Sequence, residues 1–239
     1  MKAVFGSRPS TALSCSMKNK RDIASVSHSL SQTPDPASTV YLNDSFLTLN
    51  EARVPVLDRG FIFGDGVYEV IPVYNGNAFR LTHHLQRLQN SLEAIRLRNP
   101  YSMENWEKLI IQLIEKNAAE DLSVYLQLTR GVAPRDHGFP NAAIKATVFM
   151  MATPLKPIPE SIRQSGIKAI TLTDNRWLNC HIKAISLLPN ILLRQQALDH
   201  GAQEAILLRD GEATEGAASN LFIVQQGCII TPAKGPLLL

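Results

Sequence analysis

The stretch His181-Ile182-Lys183-Ala184-Ile185-Ser186-Leu187-Leu188-Pro189-Asn190 places a lysine inside a largely apolar run. It follows a strand-like segment, Ile167–Thr173. A helix is predicted from about Pro189 to Gly201, because proline suits a first helical turn and glycine ends helices. Most lysines are solvated surface charges. In an apolar setting, however, desolvation would lower the pKa of Lys183 and favour the neutral amine that Schiff-base chemistry requires.

The part of the chain before this stretch is predicted to mix strands and helices. Two hairpins are expected within Val40–Leu49 and Val67–Arg80, because Asn-Asp and Asn-Gly pairs mark their turns. Helices are expected to begin at caps supplied by Thr82 and Ser102, each followed by an apolar stripe of helical spacing. Further strands are predicted at Leu122–Thr129 and Ile144–Ala152.

This pattern predicts an α+β fold in four parts. Residues 1–38 are basic and rich in serine without a periodic pattern, and we interpret them as a disordered or targeting-like extension. Residues 39–154 are predicted to form an N-terminal α+β domain. Residues 155–161 contain prolines and are predicted to be a linker. Residues 162–239 are predicted to form a second, β-rich domain.

Composition and charge exclude several classes of protein. The net charge of +3 comes from residues 1–38, and the neutral remainder argues against a nucleic-acid partner. No apolar run approaches the roughly 20 residues that cross a bilayer, so no membrane association is expected. The three cysteines have no metal-type spacing, so we expect free thiols in a reducing compartment, which suggests the cytoplasm.

Three further clusters carry groups with chemical potential. Glu215 follows the Asp210-Gly211 turn, either as a solvated turn residue or as a carboxylate that pairs with a protonated pyridine nitrogen. Arg87 lies off the apolar stripe of its helix, either solvated or as a phosphate clamp. Arg135 and His137 belong to a Gly/Pro-rich loop, where they are ordinary surface charges or converge on a substrate carboxylate.

A metal site is not expected from the adjacent His83 and His84. Neighbouring residues on a helix point about 100° apart, and no third ligand is evident in the sequence.

Together these clusters resemble the fold-type-IV pyridoxal-phosphate (PLP) family, and within it the D-amino-acid aminotransferases. The resemblance runs from about Val40 to near the last residue and includes Val56–Phe61 and Gly64–Val70. Each motif is weak alone, whereas their common order along the chain is specific. The resemblance implies an N-terminal α/β sandwich domain and a C-terminal β-rich pseudo-barrel.

The resemblance also implies roles for individual residues. Lys183 would hold PLP covalently and later move a proton between the substrate Cα and C4′ of the cofactor. The other cofactor contacts would come from Arg87 at the phosphate, Glu215 at the pyridinium, and Ser219 and Asn220. The substrate α-carboxylate would be bound by Tyr68, Arg135 and His137. The loop with Arg135 and His137 would come from the second subunit of a homodimer.

Some positions depart from the family pattern. His181 stands where aspartate is usual before the Ile-Lys pair, and Ala218 stands where serine is common. The family continues past the position of Leu239 into a Gly-x-Thr phosphate-binding turn, so we expect a C-terminally truncated second domain in this chain.

The expected activity is PLP-dependent transamination between a D-amino acid, such as D-alanine, and a 2-oxo acid. The alternatives are an aminodeoxychorismate lyase, a branched-chain aminotransferase, or an inactive truncated remnant.

Overall fold

A six-stranded antiparallel sheet organises the first part of the chain in a computed structural model that describes residues 35–117 and 119–239. Its order is β2-β1-β6-β5-β3-β4. The strands are β1 (Thr39–Leu42), β2 (Ser45–Thr48), β3 (Gly66–Tyr74), β4 (Asn77–Ala78), β5 (Leu122–Thr129) and β6 (Thr147–Pro154). Most of the predicted extension, 1–38, lies outside the described residues.

Both predicted hairpins are confirmed. Asn43 and Asp44 connect β1 to β2 with φ angles of 44° and 69°. Asn75 and Gly76 connect β3 to β4 with φ angles of 49° and 74°. Positive φ at both central residues is what a two-residue turn of this type requires, and asparagine, aspartate and glycine tolerate it best.

Three helices accompany the sheet: α1 (Arg59–Phe63), α2 (Leu81–Ala94) and α3 (Met103–Lys116). The cap predicted for α3 is confirmed, since the Ser102 hydroxyl accepts a hydrogen bond from the backbone N–H of Asn105 at 3.3 Å. The cap predicted at Thr82 is wrong. Helix α2 already begins at Leu81, and its N-cap position is Arg80, which is left-handed and makes no side-chain cap hydrogen bond.

The main apolar core lies between this sheet and the two longer helices. Leu88 and Leu92 of α2 and Trp106 and Ile110 of α3 are at most 1% exposed. They belong to one cluster with alternate residues of β3 and β5, because successive strand residues point to opposite faces of a sheet. The predicted apolar stripes therefore place both helices on the sheet.

The second part of the chain builds a smaller sheet with its own apolar cluster. Strand β7 pairs in parallel with β8, β8 pairs antiparallel with β9, and β10 and β11 form a separate hairpin. The cluster includes Leu193, Ala197 and Leu207. The elements are α4 (Glu160–Ser165), β7 (Ala169–Thr173), α5 (Leu188–Asp199), β8 (Glu204–Arg209), β9 (Glu212–Gly216), β10 (Ile223–Gln225) and β11 (Cys228–Ile230).

The α+β class is thereby confirmed. The predicted linker, 155–161, runs into α4, and the exact domain boundaries stay a prediction. No helix within 35–117 or 119–239 is long and apolar enough to cross a membrane.

The packing of α3 generates a paired stability prediction. Ile110→Ala should lower the free energy of unfolding by about 2–5 kcal/mol, because Ile110 is fully buried and truncation leaves a cavity. Its neighbour Ile111 is 48% exposed, so Ile111→Ala should change that free energy by less than about 1 kcal/mol. Urea unfolding at one protein concentration measures both. Equal losses would contradict the packing described for α3.

Candidate active site

Lys183 reaches the candidate site through backbone pairing with the start of β3. The Tyr68 N–H donates to the Lys183 carbonyl at 2.9 Å, and the Ile185 N–H donates to the Gly66 carbonyl at 3.1 Å. Glycine is needed at 66, because a Cβ there would lie 2.3 Å from the Leu128 carbonyl oxygen. The segment from the second part of the chain is thus attached directly to the first sheet.

The Lys183 side chain is buried and close to an aromatic ring. It is 9% exposed, and its Nζ lies 4.3 Å from the centroid of the Tyr68 ring. Burial and, to a smaller extent, the positive charge of Arg87 lower the pKa of Lys183 to about 8, although the carboxylates of Glu69 and Glu215 act to raise it. The direction agrees with the desolvation expected from the apolar run around it.

Lys183 opens into a cavity of about 540 Å³. Six of the eight residues predicted for the site line it: Tyr68, Arg87, Lys183, Glu215, Ser219 and Asn220. These residues come from β3, α2, the Lys183 segment and the end of β9, so four separate parts of the chain meet at this cavity.

Glu215 lies in β9 and is 5% exposed, so the interpretation as a solvated turn residue is wrong. Its Oε1 accepts a hydrogen bond from Nη1 of Arg176, and its Oε2 accepts one from the backbone N–H of Leu239 at 3.3 Å. The carboxylate is therefore fixed on the cavity wall by a guanidinium that the sequence interpretation did not identify.

Arg176 is held in turn by Asp174. Its Nε and Nη2 donate to the two carboxylate oxygens of Asp174, both at 2.9 Å, and Thr214 also donates to that carboxylate at 3.0 Å. Burial acts to raise the pKa of Asp174, but the hydrogen bonds from Arg176 outweigh it and bring the pKa to about 2. Asp174 directly follows strand β7 and Arg176 lies two residues later, and these two opposite charges were the available sequence signal for the network.

The position of Arg87 off the apolar stripe suggested a solvated surface charge, but the structure pairs its guanidinium with a carboxylate. Its Nε and Nη2 donate to the two oxygens of Glu69, both at 2.6 Å, which leaves Nη1 for another acceptor. Glu69 is fully buried, and its Oε2 also lies 2.9 Å from Nδ1 of His84. Burial raises the pKa of Glu69, but the hydrogen bonds from Arg87 and His84 lower it overall.

The sequence interpretation quoted Glu69 in a motif without giving it a role. The burial of Glu69 could have been predicted from periodicity, because Glu69 lies on the same face of β3 as the buried Val67 and Ile71. A carboxylate on the core face of a strand requires a buried partner.

Ser219 and Asn220 follow β9 in a tight turn. The Gly216 N–H donates to the Ser219 carbonyl at 2.6 Å, and the Ser219 hydroxyl donates to Glu204 at 2.9 Å. Asn190, at the end of the Lys183 stretch, donates to the Ala217 carbonyl at 2.9 Å. The stretch that carries the lysine is thereby connected to the turn beyond Glu215.

Arg135 and His137 are not among the residues that line this cavity. Both are exposed on the loop between β5 and β6, against the ring of Phe63. The guanidinium carbon of Arg135 lies 5.4 Å from the centroid of that ring, and the His137 ring lies 5.5 Å from it. The structure thus places these two side chains beside the same ring, apart from the six predicted residues that line the cavity.

Comparison with known proteins identifies relatives of this arrangement. The family model described as amino-transferase class IV matches residues 66–238. The chain is 39% identical over 192 residues to the D-alanine aminotransferase of Staphylococcus haemolyticus, covering 80% of this chain and 68% of the relative. It is 40% identical over 200 residues to the D-alanine aminotransferase of Bacillus licheniformis, covering 84% and 70%.

A solved structure shows the same architecture. The branched-chain amino acid aminotransferase of Escherichia coli superposes with a TM-score of 0.74 at 26% identity. The match covers 85% of this chain and 70% of that one.

The lowered pKa of Lys183 generates a prediction about its reactivity. At pH 8 about half of its amine should be neutral, against roughly 0.4% for an ordinary lysine with a pKa near 10.4. Brief acetylation of cofactor-free protein, read by peptide mass spectrometry, should label Lys183 at a rate that rises with pH up to about 8–9 and then levels off. A rate that still rises steeply above pH 10 would contradict the lowered pKa.

Proposed function

Because this chain belongs to the class IV aminotransferase family and is a PLP-dependent aminotransferase, we propose that it moves the amino group of a D-amino acid, such as D-alanine, to a 2-oxo acid. The observation that carries the transamination is the buried Lys183 amine, which opens into a cavity with Arg87 and Glu215 on its walls. An amino acid and a 2-oxo acid are the substrates of any aminotransferase. The preference for the D-isomer is the proposed part.

The residues of the cavity fit PLP by their chemistry. A lysine with a pKa of about 8 supplies the amine that a pyridoxal aldehyde requires. The Arg87 guanidinium would supply a cationic donor for the phosphate, and the Glu215 carboxylate would supply an acceptor for the ring N–H. A cavity of about 540 Å³ lies within the range usual for cofactor sites.

When bound, PLP withdraws electrons from the amino acid and makes the hydrogen on its Cα acidic. The chain contributes positioned groups to that chemistry. We propose that the neutral Lys183 amine accepts this proton and returns it, since its lowered pKa lies close to working pH. Arg176 orients Glu215, and Glu69 orients Arg87, each through charge-assisted hydrogen bonds.

The preference for D-amino acids rests on Tyr68, Arg135 and His137, which match the carboxylate-binding positions of D-amino-acid aminotransferases. Tyr68 lines the cavity, whereas Arg135 and His137 are exposed away from it. We propose that they serve the cavity of a second subunit in a homodimer.

The location of the protein is a separate proposal. The free Cys180 and Cys228 support a reducing compartment, and we propose the cytoplasm.

A branched-chain aminotransferase fits the observations less well. The branched-chain enzyme of E. coli shares 26% identity with this chain, against 39% for the D-alanine aminotransferase of S. haemolyticus.

Substrate assays test the proposed function directly. With PLP and 2-oxoglutarate, the protein should release pyruvate from D-alanine and should react with L-valine at least about 100-fold more slowly, because we propose that Arg135 and His137 hold the carboxylate where the D-isomer presents its Cα hydrogen to Lys183. Lys183→Ala should abolish the reaction, whereas Lys168→Ala, a change at an exposed lysine, should not. Sole activity on L-valine would overturn the D-amino-acid assignment, and a protein that stays colourless with PLP would overturn the activity.

Two further variants separate the roles proposed for Arg87 and Glu215. Arg87→Lys, which keeps a cation beside the fully buried Glu69, should weaken PLP binding about 10- to 100-fold, because the phosphate loses a guanidinium donor; Arg98→Lys, at an exposed arginine, should leave it unchanged. Glu215→Gln should lower kcat about 100-fold while PLP still binds, and Glu212→Gln, on the exposed side of β9, should not. Absorbance titration and steady-state rates measure these effects. Loss of PLP binding in both site variants alike would contradict the separate roles.

A further inference from the structure

Arg59 lies beneath the exposed loop that carries Arg135 and His137. Its side chain is 4% exposed, and its Nη1 donates to the backbone carbonyl of Asp136 at 2.6 Å. Its backbone N–H donates to the Gly131 carbonyl at 2.9 Å. One buried residue therefore binds the loop both near its beginning and at the peptide between its two candidate substrate ligands.

The buried charge of Arg59 is balanced by a shared carboxylate. Oδ2 of Asp65 accepts hydrogen bonds from Nε of Arg59 and from Nε of Arg130, both at 2.8 Å. Burial acts to raise the pKa of Asp65, but the two guanidiniums outweigh it and lower the pKa overall. One carboxylate cannot accept all the hydrogen bonds that two buried guanidiniums donate, so Arg59 and Arg130 need further acceptors.

Backbone carbonyls and aromatic rings supply those further contacts. Arg130 donates to the carbonyls of Ile95 and Arg96 at 2.7 and 3.2 Å and lies 3.9 Å from the ring centroid of Phe139. Arg59 uses the Asp136 carbonyl in the same way. The loop is thus held at Gly131, Asp136 and Phe139 by two arginines that share Asp65.

Phe63 completes the arrangement. The guanidinium carbon of Arg59 lies 4.8 Å from the centroid of its ring, while Arg135 and His137 lie 5.4 and 5.5 Å from it. Arg135 and His137 therefore both face the ring of Phe63. The contacts with Phe63 and the hydrogen bond at Asp136 together fix that orientation for both residues.

From these contacts we infer that Arg59 is a positioning residue for substrate specificity. It sets the orientation of Arg135 and His137 by holding the carbonyl of the residue between them, and Asp65 keeps its guanidinium in place. Arg59 does not line the cavity that contains Lys183, so its effect on the reaction passes through the loop. The inference rests on the proposed role of Arg135 and His137 in binding the substrate carboxylate.

The conservative variant Arg59→Lys, assayed as the PLP-loaded full chain, tests this inference. A lysine keeps the charge but cannot bind Asp65 and the Asp136 carbonyl together with the geometry of a guanidinium. We expect KM for D-alanine and for the 2-oxo acid to rise about 10- to 100-fold, because small misplacements of binding groups are costly. The PLP absorbance spectrum and the affinity for PLP should stay close to those of the parent protein, and urea unfolding should show a protein that is fully folded under the assay conditions.

A matched control is available in Arg53, which also donates to backbone carbonyls, those of Asn50 and Ala52 at 2.6 and 2.9 Å, but in another loop. Arg53→Lys should leave both KM values unchanged. The double variant with Arg59→Lys and Arg135→Ala should raise KM by less than the product of the single effects, because both changes act on one binding group.

The outcomes separate this inference from the proposed function. If Arg135→Ala and His137→Ala raise KM and Arg59→Lys does not, the positioning role is overturned and the proposed function stands. If Arg135→Ala and His137→Ala leave KM unchanged, the proposed carboxylate site fails, and the inference fails with it. If Arg59→Lys lowers PLP affinity in step with activity, or leaves the protein partly unfolded under the assay conditions, Arg59 is structural and the inference is overturned.

Discussion

The backbone hydrogen bond from Tyr68 to Lys183 joins the two parts of the molecule, and the candidate site depends on it. It adds the Lys183 segment to the edge of β3, more than a hundred residues earlier in the chain. That pairing places the lysine beside the ring of Tyr68 and within the field of the Glu69–Arg87 pair. Gly66 permits it, since a side chain there would collide with β5. The low pKa of the amine follows from this burial rather than from any special neighbour in sequence.

Buried charge compensation determines where the remaining polar groups of the site lie. Glu69 binds Arg87, Asp174 binds Arg176, and Asp65 binds both Arg59 and Arg130. Each pair has lost much of its hydration, so each ion is confined to the place where its partner is. Two of the three networks end on a residue that we assign to the cofactor, and the third ends on the loop assigned to the substrate. Rigid placement is what such sites require, because catalysis depends on groups that are oriented before the substrate arrives.

The two groups of candidate residues are also separated in space. The cavity contains an amine, a guanidinium and a carboxylate chemically suited to PLP, while Arg135 and His137 lie outside it on an exposed loop. An exposed arginine and histidine on a loop that is held from beneath are suited to act on a neighbouring molecule. Transamination accounts for the cavity, and the proposed homodimer accounts for the loop.

Local sequence determined most of the elements of this protein and marked Lys183 as the candidate reactive lysine. The turns at Asn43-Asp44 and Asn75-Gly76, the Ser102 cap and strand β5 were all predictable, because each depends on residues next to one another. The family order of motifs pointed to Lys183, Arg87 and Glu215. Only the tertiary structure decided what those residues contact. Periodicity left Arg87 solvated and did not identify Arg176 or Arg59, since their partners Glu69, Glu215 and Asp136 lie 18 to 77 positions away. The burial of a charge is decided by whether a partner reaches it across the fold, and no local pattern carries that information.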